Sequence, residues 1–202
     1  MATRKFIVAI SGASGAIYAR KILQGLLQAG PQVHTYLIIS PAGRRLLHDE
    51  LGIEHPDIAA IAGEEPHDRI TLLANNDIGA CIASGSFKTQ GMVVAPCSSN
   101  KLGQIAHGIA DNLITRAAMV TLKERRPLVL LHREMPISLI ELKNMLAACE
   151  AGAIVCPASP GFSLRPQSID DLVTMVAGRV LDLLGVEHNW HTRWQGAGAA
   201  KP

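Results

Sequence analysis

Apolar and polar positions fall into blocks that separate buried strands from amphipathic helices. KFIVAI over Lys5–Ile10 and VHTYLIIS over Val33–Ser40 are apolar runs of strand length. Met92–Ala95, Leu128–Leu131 and Ala153–Val155 have the same character, and Ile78–Ala83 is expected to be a further short strand. Helical spacing appears between them, over about Ile17–Gln28, Ala42–Leu51 and Asn112–Arg125. Two more helices announce their starts with capping boxes, Ser138-x-x-Glu141 and Ser168-x-x-Asp171. The last carries Ile169, Leu172, Val173, Val176, Val180, Leu183 and Leu184 on one face and stops at Gly185. Strands alternating with helices predict a three-layer α/β fold with a mainly parallel sheet. One domain is expected over residues 1–186, followed by a tail, 187–202, without periodicity. Its Trp190 and Trp194 are expected to cover a neighbouring subunit rather than stand in water. The polar stretch from Gly52 to Asn76, broken by Pro56 and Pro66, gives no element.

The turns between these blocks carry the candidate chemistry. Ser11-Gly12-Ala13-Ser14-Gly15-Ala16 joins a strand to a helix, an arrangement whose backbone N–H groups can approach an anion. Its G-x-x-G spacing is neither the dinucleotide G-x-G-x-x-G nor a P-loop, which disfavours NAD and ATP. Pro96 is expected to halt the strand before Cys97-Ser98-Ser99-Asn100, because it lacks the N–H a ladder needs. The small polar residues after it precede a helix start. Ser84-Gly85-Ser86-Phe87 is a loop able to lie against a planar ligand. Asp111 is placed to cap the next helix, on which Arg116 and Lys123 stand about two turns apart on nearly one face. His132, Arg133 and Glu134 follow a strand, at the edge where open α/β sheets bind ligands. Glu50 near a helix C-terminus opposes the macrodipole, an unfavourable local placement.

Composition narrows the classes. A chain of 202 residues with 48% hydrophobic and 18% charged residues is globular. A net charge of +2 and 3% aromatics give no nucleic-acid surface and no attraction to anionic membrane. Without a signal-like segment or a long apolar run, a soluble cytoplasmic protein is expected. Cys81, Cys97, Cys149 and Cys156 have no metal-ligand spacing and are expected to be reduced thiols, so no metal is expected.

Several stretches then occur together: Gly12-Ala13-Ser14-Gly15-Ala16, Ser84-Gly85-Ser86, Pro96-Cys97-Ser98, Arg116-Ala117-Ala118, Leu122 to Leu130, Arg133-Glu134 and Arg165-Pro166-Gln167-Ser168. In that order, over roughly residues 5–186, the chain resembles the UbiX-type flavin prenyltransferases. The resemblance implies a Rossmann-like flavoprotein fold, FMN as cofactor, and a homododecamer with sites at subunit interfaces. It implies transfer of a dimethylallyl group from dimethylallyl phosphate to N5 and C6 of reduced FMN, the prenylated FMN then serving a UbiD-type decarboxylase. By the same resemblance Gly12, Ala13, Ser14, Ser40, Ser98, Ser99, Asn100, Lys101 and Arg133 correspond to FMN contacts. Ser14, Glu50, Lys123 and Glu134 correspond to catalytic groups, and Arg116, Lys123, Arg133, Ser163 and Arg179 to substrate contacts. Trp194 of a neighbouring chain is the candidate π-face for the allyl cation. Two departures stand out: Phe162-Ser163 where the family has Phe-Tyr, and His132 where it has proline. The first leaves open an FMN-binding protein with lost or altered prenyl chemistry. A related flavin-dependent decarboxylase is the other alternative, and the Pro-Cys-Ser turn disfavours it.

Overall fold

In the computed structural model, residues 2–63, 68–190 and 192 are described. Six strands, β1 (Arg4–Ile10), β2 (Val33–Ile39), β3 (Ile70–Leu73), β4 (Gly91–Cys97), β5 (Leu128–His132) and β6 (Ile154–Pro157), form one sheet. Every neighbouring pair is parallel, in the order β3-β2-β1-β4-β5-β6. Each connection from strand to strand carries helix or turn. The helices are α1 (Ala16–Gln28), α2 (Pro41–Leu51), α3 (Ile58–Ala62), α4 (Ser99–Ala106), α5 (Leu113–Lys123), α6 (Leu139–Glu150) and α7 (Ile169–Leu183).

Period-2 alternation divides the sheet between two cores. Phe6, Val8 and Ile10 join Val93, Val129 and Leu131 on the face covered by α1, α2, α3 and α7. Ile7 and Ala9 join Met92, Val94, Leu128 and Leu130 on the face covered by α4, α5 and α6. Central strands buried on both faces read as unbroken apolar runs for this reason. Replacing a fully buried residue such as Ile22 or Leu26 by alanine would cost about 2–5 kcal/mol.

The expected elements are present, with differences at particular places, and the segment that gave no element also holds α3. Ile78–Ala83 is not a strand; it is turn ending in a single 3-10 turn at Cys81–Ala83, and Ile78 is 57% exposed. The edge strand β3 lies earlier, inside the polar segment that gave no element. It pairs on one side only and is largely half-buried, so four residues suffice and its apolar signal is short. Pro96 does not end its strand. β4 continues to Cys97, and its register against β5 shifts between Val94 and Cys97, where the missing N–H is accommodated. Asn112 rather than Asp111 caps α5, in a capping box with Thr115. Trp190 packs on its own chain: it lies over Gly25 of α1, and its Nε1–H donates to Gln28 at 3.3 Å. Trp194 lies outside the described residues. Among the described residues no helix is long and apolar enough to cross a membrane.

Candidate active site

β1 and β4 are neighbours at the centre of the sheet, yet the chain leaves them toward opposite layers, into α1 and α4. That reversal opens a crevice at their C-terminal ends. Ser11, fully buried, fastens its floor: its hydroxyl donates to the Pro96 carbonyl at 2.7 Å and accepts from the Ser98 N–H at 2.9 Å. Gly12 and Ser14 stand exposed beside it. Ser40 caps α2 by accepting from the Gly43 N–H at 2.9 Å, and Ser98 caps α4 by accepting from the Lys101 N–H at 3.3 Å. Glycine is required where α2 meets β1. A Cβ on Gly12 would stand 2.5 Å from that of Ala42, and one on Gly43 would stand 2.6 Å from the Ile10 carbonyl oxygen.

Glu50 explains its own odd position. Its carboxylate accepts from the Gly15 N–H at 3.0 Å and the Ala16 N–H at 2.7 Å. It thus serves the N-terminus of α1, where no side chain of α1 itself provides a cap. An acid unfavourable for its own helix is favourable for the neighbouring one.

The end of β5 supplies the opposite wall. Arg133 reaches past β4 and donates from Nε to the Ser14 carbonyl at 3.3 Å. Ser99 contacts Glu134 Oε2 at 3.2 Å and hydrogen-bonds Glu141 Oε1. The Ser99 hydroxyl, with the Ser138 N–H behind it, holds the Glu141 carboxyl below the usual carboxylate range. His132 is buried behind them. Lys101, expected at this surface, turns its ammonium inward to Gln104 at 2.7 Å, and burial lowers its proton affinity. Asn100 remains exposed at the start of α4.

Gly12, Ala13, Ser14, Ser40, Glu50, Ser98, Ser99, Arg133 and Glu134 therefore converge around one crevice. Others do not. Lys123 precedes β5 and Arg133 follows it, and five residues at about 3.3 Å each put roughly 15 Å of strand between them. Lys123 is exposed beside a cavity of about 590 Å³ that it lines with Arg125, Arg126, Pro127 and Glu150. That cavity lies at the N-terminal edge of β5 and β6, away from the helix N-termini that attract anions. Arg116 donates to the Ala83 carbonyl at 3.3 Å. Ser163 is exposed in the loop after β6, and Arg179, exposed on α7, acts electrostatically on Cys156. Cys97 is buried, and burial pushes its thiol up to about 12, so it is no nucleophile at neutral pH. The set built by His132, Glu141 and Ser99 was not evident from the sequence. Its one signal was the Ser138-x-x-Glu141 capping box, whose acid has a second oxygen to offer.

The donors fit a flavin mononucleotide. Gly15 and Ala16 hold the Glu50 carboxylate, which leaves the helix N-termini capped by Ser40 and Ser98 and the Arg133 guanidinium facing the crevice. A family model described as Flavoprotein matches residues 1–181. The chain is 46% identical over 191 residues to the flavin prenyltransferase UbiX of Deinococcus radiodurans, covering 95% of this chain and 93% of that protein. The crystal structure of AnUbiX in complex with FMN and dimethylallyl pyrophosphate has a TM-score of 0.82 and 38% identity, over 96% of this chain and 100% of that one. A dodecameric FMN-dependent UbiX-like decarboxylase from Escherichia coli O157:H7 has a TM-score of 0.83 and 41% identity, over 95% of this chain and 100% of that one. With this fold, this crevice and likeness along nearly its whole length, the chain belongs to the UbiX flavin prenyltransferase family of flavoproteins.

Proposed function

We propose that the protein joins a dimethylallyl group from dimethylallyl phosphate to N5 and C6 of reduced FMN, releasing prenylated FMN for a UbiD-type decarboxylase. The observation that carries this reading is the crevice between β1 and β4, ringed by three helix N-termini and walled by Arg133 and Glu134. Residues 1–186 make up the FMN-binding unit. Gly12 to Ser14, Ser40, Ser98 to Lys101 and Arg133 hold FMN, Lys101 through its backbone. Reduced FMN supplies the nucleophilic ring atoms.

The chain supplies cations and proton acceptors. Leaving phosphate gains negative charge as the allylic bond breaks, and Lys123, Arg133, Arg116 and Arg179 stabilise it. Glu50 or Glu134 takes the proton released on ring closure, with Ser14 beside the reacting edge. Because Lys123 and Glu50 sit at opposite ends of one protomer's sheet, a working site draws Lys123 from a second copy of the chain. The exposed apolar residues of α6 and its approach, among them Met135, Leu139, Ile140 and Leu146, support assembly into a homo-oligomer, which we propose is a dodecamer. Cytoplasmic residence follows the same reading.

Anaerobic incubation with reduced FMN and dimethylallyl phosphate, followed by mass analysis of the flavin, tests it. One added prenyl unit is expected. Unmodified flavin recovered from protein with FMN bound would overturn the transferase reading and leave only the flavin site.

A further inference from the structure

The buried group behind Ser99 plays no part in the chemistry above. His132 ends β5 as the register partner of Cys97 and is 2% exposed. Its Nδ1 lies 2.9 Å from the Cys97 carbonyl oxygen. A carbonyl can only accept, so Nδ1 carries the proton. Its Nε2 has no hydrogen-bond partner and faces Glu141 Oε1 at 3.7 Å. Buried ring nitrogens are ordinarily satisfied, and this one is aimed at a carboxylate.

Glu141 has both oxygens engaged. Oε2 accepts from the Ser138 N–H at 2.9 Å, and Oε1 takes the Ser99 hydroxyl. Ser99 has one proton for two carboxylates, and Glu141 is the nearer. Glu134 Oε2, 3.2 Å away on the crevice side, then meets a serine lone pair. A proton arriving on Glu134 would find Ser99 Oγ ready to accept it.

We propose that His132 is a positioning residue for the flavin-facing turn. Through Nδ1–H it fixes the Cys97 carbonyl at the root of Ser98–Lys101. When Nε2 also carries a proton, the ring pairs with the Glu141 carboxylate 3.7 Å away, which draws the Ser99 hydroxyl away from Glu134 and leaves that carboxylate open for the proton of ring closure. The inference rests on the assignment of this turn to FMN and of Glu134 to the reacting edge.

Three substitutions separate the two contacts. His132→Asn keeps a donor at the δ position for Cys97, His132→Gln puts one at the ε position for Glu141, and His132→Leu removes both. FMN affinity from flavin fluorescence, single-turnover prenyl transfer and melting temperature are read for each. His132→Leu is expected to weaken FMN binding roughly tenfold, as for one lost buried hydrogen bond, and also to slow transfer. Asparagine should restore affinity and glutamine should restore rate. If leucine prevents folding, the contrast between asparagine and glutamine decides alone. Equal behaviour of both substitutions, or losses that follow melting temperature without rescue, would make His132 a space-filling core residue and overturn the inference. Failure of the wild type to bind FMN is a different result, which removes the flavin assignment and this inference together.

Discussion

Glu50 Oε2 stands 2.7 Å from the backbone nitrogen of Ala16, so the last turn of α2 closes the first turn of α1. Glu50→Ala removes that cap, and lost caps cost about 0.5–2 kcal/mol. For a chain of this size that is a fall in melting temperature of roughly 1–8 °C. Glu50→Gln keeps one acceptor oxygen and is expected to recover most of the stability but not the transfer rate. Calorimetry and single-turnover kinetics on the two variants check this. An unchanged melting temperature for the alanine variant would remove the capping role.

Lys123→Ala is expected to leave FMN binding intact and to slow transfer strongly. A cation lost from a leaving phosphate is worth about 2–4 kcal/mol by analogy with an oxyanion donor, or roughly 30- to 1,000-fold. Because Lys123 and Glu50 lie at opposite ends of a protomer, mixed oligomers of Lys123→Ala and Glu50→Ala chains should regain part of the activity lost by each alone. No recovery after subunit exchange would mean that both groups serve one protomer.

Ser163→Tyr should tighten dimethylallyl phosphate binding and leave FMN affinity unchanged. A neutral phenolic hydrogen bond contributes about 0.5–1.5 kcal/mol, or roughly two- to twelve-fold. Titration of both ligands against wild type and variant measures it. Weaker donor binding in the tyrosine variant would show a pocket rebuilt around serine and would favour altered prenyl chemistry.

Cys97 is expected to resist alkylation at about pH 8, where Cys81 and Cys149, both exposed, react. Burial raises its thiol from 9.0 to about 12. The folded state therefore favours the protonated form. That contribution is complete below pH 9 and is lost as pH rises through 12, so melting temperature should decline over that alkaline window. Peptide mapping of alkylated protein gives the site order, and Cys97 labelled as fast as Cys81 would contradict its burial.

The central sheet was legible because β1, β4 and β5 are buried on both faces and leave unbroken apolar runs. β3 was not, since an edge strand paired on one side needs few apolar residues, while Ile78 advertised a strand and lies in solvent. The crevice residues from Gly12 to Ser14 and at Ser98 were marked by turn chemistry. The partner of Glu50 could not be read, because it joins positions far apart in the chain. Nor could the inward turn of Lys101, which depends on Gln104 one turn along α4 and on Asp111 in the loop beyond it. Trp190, expected against a neighbouring subunit, lies over the bare helix surface at Gly25 of its own chain.

The contact of α2 with the end of β1 leaves no clearance at Gly12 or Gly43. The helix consequently behaves as a stiff lever resting on two bare points, with Ser40 at one end and Glu50 at the other. A single methyl group added at either fulcrum would tilt both ends at once. The α2 cap at Ser40 and the support of α1 would then change together, although neither Ser40 nor Glu50 had been altered. These two positions are accordingly constrained by mechanics.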